Sequence, residues 1–98
     1  MARPEKISLD VPTAVGVGTA SNVFRFRDRT VQVSGAFVAT LQVEASLDGE
    51  QFAPIGAAVN APGFVQVPGT VEFLRIRVTA FTSGAPHAAM AGFDFRAE

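Results

Sequence analysis

Between Val31 and Leu47 the chain alternates without a slip: Val31, Val33, Phe37, Ala39, Leu41, Val43, Ala45 and Leu47 all fall on odd positions. The even positions of the same region carry Thr30, Gln32, Ser34, Thr40, Gln42, Glu44 and Ser46. A period of two puts every second side chain on one side of an extended backbone, so this stretch reads as strand with one buried face. Gly35 marks the bend or break that lets two strands share one pattern. No segment of the chain shows the 3.6-residue period of a helix.

The remaining stretches extend that reading. In EKISLDV, Ile7, Leu9 and Val11 share a face, and Pro12 ends the strand because it has no N–H to donate. TAVGVGTASN is a weak strand or an extended arm. NVFRFRD sets Phe24 and Phe26 on one face, with Arg25 and Arg27 on the other. APIGAAVNAPG is expected as a connection, FVQV as a short strand and PGT as a turn. In TVEFLRIRVTAF the apolar parity changes between Val71–Phe73 and Leu74–Ile76–Val78, which predicts a β-bulge near Phe73-Leu74. TSGAPH is expected as a loop, and HAAMAGFDFR as a last strand with Phe93 and Phe95 inward. Seven or eight short strands with frequent turn signals predict an all-β fold: one small antiparallel β-sandwich, jelly-roll-like domain. Within it, residues 1–22 form an N-terminal strand or extended arm and residues 23–98 the sandwich core.

SLDGEQF, residues 46–52, centres on Asp48-Gly49, a strong hairpin signal because Gly takes positive φ freely and Asp tolerates it. A two-residue turn there would pair Leu47 with Glu50 and Ala45 with Phe52, on the same face as Leu41 and Val43. Asp48 and Gly49 are therefore assigned a structural role rather than a chemical one.

Composition closes off several functions. A 98-residue chain that is 48% apolar and 17% charged folds as a single domain and leaves apolar surface for a partner to cover. A net charge of −1 argues against a general grip on nucleic acid. Without cysteine there are no disulfides, thiolate metal sites or thiol nucleophiles. MARPEKISLD does not read as a signal peptide, and no stretch is long and apolar enough for a membrane span. Nine Phe but neither Trp nor Tyr leave no amphipathic rings of the kind that stack on sugars.

No chemistry-bearing constellation emerges. His87 is the lone histidine, in a predicted loop, with no triad or metal shell to join. Asp48 and Glu50 lack the spacing of a calcium loop, and Gly16 to Gly18 lacks that of a phosphate cradle. Ser34 and Ser83 each precede glycine in turn-like contexts. Catalytic residues, metal ligands and cofactors are all expected to be absent, and the chain is not expected to be an enzyme. Arg25, Arg27 and Arg29 alternate as a basic stripe, extended by Arg75 and Arg77 if their strands are neighbours. One reading makes it a solvated face paired with Glu44, Glu72 or Asp94. The other makes it a docking surface for an acidic protein partner, since Arg suits interfaces.

TVQVSGAFVATLQVEASLDGEQFAPIG, followed later by VEFLRIRVTAFTSG, resembles small β-sandwich virion proteins of tailed bacteriophages. The shared elements are V-x-V-S-G-x-F, a strand ending S-x-D-G-x-x-F, and a late L-R-I-R-V strand, over roughly residues 30 to 83. The resemblance implies a head decoration (cement) protein, or a tail, neck or head-completion component. It implies a virion location after synthesis in the host cytoplasm, a partner such as the major capsid protein or another virion protein, and a homo-oligomer with a trimer favoured. It also implies that residues 1–22 are an arm that grips the shell, although EKISLDV equally suits an ordinary first strand. S-x-D-G-x-x-F and the φ-R-φ strand also occur in discoidin-like carbohydrate-binding modules, an alternative that the missing Trp and Tyr disfavour.

Overall fold

The unbroken parity from Val31 to Leu47 belongs to two strands that lie in different sheets. The computed structural model describes residues 3–68 and 71–94. They form nine strands: β1 (Arg3–Leu9), β2 (Gly16–Val17), β3 (Ser21–Asn22), β4 (Phe26–Ser34), β5 (Phe37–Ser46), β6 (Ala53–Val59), β7 (Gly63–Gln66), β8 (Phe73–Gly84) and β9 (His87–Asp94). The first sheet has the order β1-β9-β4-β7, and the second β2-β8-β5-β6 with β3 also pairing β8. Every pairing is antiparallel. The chain is a small β-sandwich.

The sheets are joined by a folded ribbon. β4 and β9 pair up to Ser34↔His87 in the first sheet, and β5 and β8 resume at Phe37↔Gly84 in the second. Both chains turn the corner together, and Ala85 N donates to Ala36 O at 3.0 Å across it. The corner requires glycine. Gly84 has φ +97°, and a Cβ there would lie against the Ala36 carbonyl and 2.5 Å from Phe37 Cα.

Inward side chains stack in rows across the strands. Ile7, Met90, Val31 and Val65 form one such row in the first sheet and Ile76, Val43 and Ile55 one in the second, and both rows belong to the single core. Leu41, Val43, Leu74, Ile76, Val78, Val23 and Met90 are fully buried.

Several expectations need correction. β1 ends at Leu9 rather than Pro12, and TAVGVGTASN supplies both β2 and β3. Phe24 does not share the face of Phe26: it sits in a turn closed by Phe26 N donating to Val23 O, and stands 52% exposed while Val23 and Phe26 are buried. Residues 53–59 are a strand, not a connection. The pairing of β5 with β8 runs in register through Phe73 and Leu74; its irregularities lie near Thr79 and Thr82, at the other end. TSGAPH is mostly strand, leaving Ala85 and Pro86 as the link. In β9 the inward set is Ala88, Met90 and Gly92, so Phe93 points outward and is 42% exposed. Phe95 and the end of the PGT turn lie outside the described residues.

The loop after β5 is longer than a two-residue turn. Ala45 pairs with Ala53, not with Phe52, and Leu47 is exposed. The physical reason is side-chain capture: Asp48 Oδ1 accepts from Glu50 N and Gln51 N, both at 2.9 Å, and from the Ser46 hydroxyl at 2.8 Å. Ser46 Oγ in turn accepts from Asp48 N and Gly49 N. These local bonds replace two ladder pairs with an Asx-type loop. Gly49, at φ +82°, lets it pack on the Phe73 ring.

Candidate functional site

The five arginines singled out above do not form one stripe. β4 and β8 lie in different sheets, so Arg25, Arg27 and Arg29 are not neighbours of Arg75 and Arg77. Within β4 the alternation is broken by a bulge. The register with β9 shifts between Arg27 and Thr30, and Asp28 takes φ +55°. Asp is among the few side chains that tolerate that region. The extra residue reverses the parity, so Arg27 faces solvent while Arg29 turns inward with Val31 and Val33. Arg29 Nη1 donates to Val71 O at 2.8 Å, and burial pulls its pKa down, though an arginine stays charged. Arg25 sits in the turn before β4, its guanidinium 4.2 Å from the centre of the Phe26 ring.

Arg75 and Arg77 do lie together, on the outer face of the second sheet. Glu44 is opposite Arg75 in register and diagonal to Arg77. Arg75 Nε donates to Glu44 Oε1 at 2.7 Å, and Arg77 Nε to Oε2 at 2.8 Å. The Phe52 ring covers the cluster, with the Arg75 guanidinium 3.9 Å from its centre. Glu44 is thereby only 6% exposed on a nominally outward face. Its burial would raise its pKa, but the hydrogen bonds and charges of the two arginines outweigh that and hold it below the usual carboxylate range. Beside it, Gln42 Nε2 donates to Ile55 O at 3.0 Å and to Gly56 O, filling the gap where three residues of β6 bulge against one of β5. The cluster satisfies itself. As a basic docking surface it offers little beyond the exposed edge of Arg77.

At one end of the sandwich a cavity of about 390 Å³ brings together residues that are far apart in sequence: Ser8, Asp10, Ser34 and His87. Ser34 and His87 are cross-strand partners. The third member of a possible triad is engaged elsewhere, since Asp10 Oδ2 accepts from Thr19 N at 2.8 Å. Among the described residues, no acid hydrogen-bonds to the His87 imidazole, the contact by which a triad orients its base. Among the described residues no cluster of three or more His, Cys, Asp or Glu side chains can hold a metal, and no helix is long and apolar enough to cross a membrane.

The feature that sequence reasoning missed is the outer face of the first sheet. Two rows run across all four strands: Ser8, Ala89, Gln32 and Phe64, then Lys6, Ala91, Thr30 and Gln66. Phe64 is 70% exposed, and Phe93 lies on the same face beside Pro4. A dimple of about 120 Å³ is lined by Lys6, Thr30, Gln32, Phe64, Ala89 and Ala91. Ala89 and Ala91 alternate with inward Ala88 and Met90, so the apolar parity signal was present on both faces of β9 at once.

No family profile and no curated protein matches the chain. Among solved structures it is similar to the SPBc2 prophage-derived protein YomS, with a TM-score of 0.79 and 13% sequence identity over 95% of each chain. At that identity the likeness establishes the shared β-sandwich.

Proposed function

We propose that the protein is a non-catalytic structural component of a tailed-phage particle, of the capsid decoration (cement) type, with the major capsid protein or another virion protein as its partner. The observation that carries this reading is the end-to-end likeness of fold to a prophage-derived protein. Two surface properties support it. Among the described residues, the charge cluster of Glu44 with Arg75 and Arg77 is closed on itself, while large apolar side chains such as Phe64 and Phe93 stand in solvent. That distribution suits burial against a protein partner rather than chemistry on a small molecule.

The mechanism is mass action. Anything that binds assembled shell but not separated subunits stabilises the shell, and many weak contacts on one particle act together. The grip belongs to surfaces rather than to a loose arm. β1 is laddered to β9 at seven positions, Leu9 is in the core, and β2 and β3 pair with β8. Removing residues 1–22 would therefore unfold the protein as readily as it would detach it.

The test is a count. Particles from a lysate containing the protein are purified on a density gradient and copies per particle measured by quantitative mass spectrometry. Hundreds of copies are expected. A handful would reassign the protein to a tail or neck position, and absence from particles would overturn the virion reading.

A further inference from the structure

We infer that Asp48-Gly49 is a latent site of backbone rearrangement to isoaspartate, and that the Ser46 hydroxyl keeps it unreactive while the protein is folded.

The reaction is intrinsic to the pair. The amide nitrogen after an aspartate attacks the side-chain carbon Cγ and closes a succinimide ring. The N–Cγ bond forms, the Cγ–OH bond breaks, and the hydroxyl leaves as water with the amide proton. A second water then opens the ring at either carbonyl. Opening at Cγ restores aspartate. Opening at the backbone carbonyl leaves isoaspartate, with the chain running through Cβ and Cγ. Glycine is the most permissive follower, since it has no Cβ to crowd the attacking nitrogen. Asp48-Gly49 is the sole Asp-Gly pair in the sequence, and there is no Asn-Gly.

The folded loop opposes each requirement of that attack. The Gly49 N–H, which must give up its proton, donates to Ser46 Oγ at 2.9 Å. The position of Cγ is fixed through its oxygen. Asp48 Oδ1 accepts from Glu50 N and Gln51 N at 2.9 Å and from the Ser46 hydroxyl at 2.8 Å. Turning the chain until Gly49 N meets Cγ would draw the two backbone donors away from Oδ1. Nor is the loop free to turn as a unit. Glu72 N donates to Ser46 O at 3.0 Å, Ser46 is buried, and the Gly49 backbone packs on the Phe73 ring.

The electrophile is poor as well. Attack proceeds on the neutral carboxylic acid, because a carboxylate has no hydroxyl to release. The Gln51 and Glu50 N–H groups and the Ser46 hydroxyl hold the Asp48 pKa at about 2 against 3.8 unfolded, which makes the acid form roughly fifty-fold rarer at neutral pH. Rearrangement would also damage what the loop does. The bonds from Glu50 and Gln51 N to Oδ1 would be lost, and the link from β5 to β6 would lengthen by one backbone atom.

Ser46 is the keystone because its hydroxyl donates to Asp48 Oδ1 and accepts from both Asp48 N and Gly49 N. Losing a hydrogen bond to a charged group shifts a local equilibrium by about ten-fold or more.

The test is an ageing experiment on the full-length protein. It is held for weeks at neutral pH and physiological temperature. Isoaspartate is then measured by isoaspartyl-specific enzymatic methylation and by peptide mapping. A synthetic peptide of residues 43–54 supplies the unfolded rate. The folded protein is expected to convert about ten-fold or more slowly than the peptide, and Ser46→Ala, folded by circular dichroism, about ten-fold or more faster than the unmodified protein. Leu47→Ala, at the neighbouring exposed side chain, should leave the rate unchanged. Hydrogen exchange needs no substitution: the Gly49 amide should exchange about ten-fold or more slowly in the protein than in the peptide. A folded protein that converts as fast as the peptide would overturn the inference. So would an unprotected Gly49 amide, a folded Ser46→Ala protein with an unchanged rate, or a Leu47→Ala protein that converts as fast as Ser46→Ala. Should Ser46→Ala fail to fold, the Gly49 exchange rate decides alone.

Discussion

The two outer faces of the sandwich use the same strand geometry to opposite ends. On the second sheet, Glu44, Arg75, Arg77 and Phe52 bind one another, so a face built of charges presents little free charge. On the first sheet, Ala89, Ala91, Phe64 and Phe93 face outward beside Lys6 and Arg27, and Thr30 hydrogen-bonds to Gln66. The difference shows that charge in a sequence does not locate an interaction surface. What matters is whether the neighbouring strand has already neutralised it.

The largest effect is expected where the two faces are tied together. Gly84→Ala puts a Cβ against the Ala36 carbonyl at φ +97°, so the corner must open. A strained, sterically blocked site of this kind costs roughly 3 kcal/mol or more, enough to unfold many domains of this size. Urea denaturation measures it. A loss under 1 kcal/mol would mean that the sheets are not coupled through this ribbon.

Next is Glu44→Ala, which leaves two arginines facing each other beneath Phe52. Breaking a well-buried ion pair costs about 3–5 kcal/mol, and the partial exposure of Arg77 reduces this to roughly 2 kcal/mol. A loss under about 0.5 kcal/mol in urea denaturation would instead make the cluster ordinary solvated surface.

These two positions also show what was legible in the sequence. The all-β class, the core parity from Val31 to Ala45 and the inward Leu74, Ile76 and Val78 could be read directly, because burial on one face enforces period two over many residues. Sheet assignment could not be read, because the ribbon folds at Gly35 and Gly84 without changing parity. Nor could the fate of the arginines. A single bulge at Asp28 moved Arg29 from one face to the other, and nothing in RFRDRT distinguishes a strand from a bulged strand. The Phe64 face was hidden for a different reason. Short edge strands such as GFVQ alternate too briefly to reveal which side is covered.

Acid should erode the closed face selectively. Glu44 has a lowered pKa in the folded state, so its contribution is fully present above the unfolded carboxylate value and is lost as pH falls through the folded one. Asp48 behaves likewise, its pKa held near 2 against an unfolded 3.8 by the backbone hydrogen bonds of Gln51 and Glu50 and the Ser46 hydroxyl. Melting temperature measured against pH should therefore fall below about pH 4, and Glu44→Gln and Asp48→Asn should each flatten that fall. A profile unchanged by either substitution would assign the acid sensitivity to other groups.

The smallest effect on folding should come from Phe64, on the open face of the first sheet. Phe64 is 70% exposed in the single chain, so Phe64→Ser removes little buried area, and surface changes of this kind usually stay within about 0.5 kcal/mol. Equal melting curves for the two proteins would place the ring outside the packing that holds the fold. A drop of 2 kcal/mol or more would instead make Phe64 part of the fold and return the open face to ordinary surface.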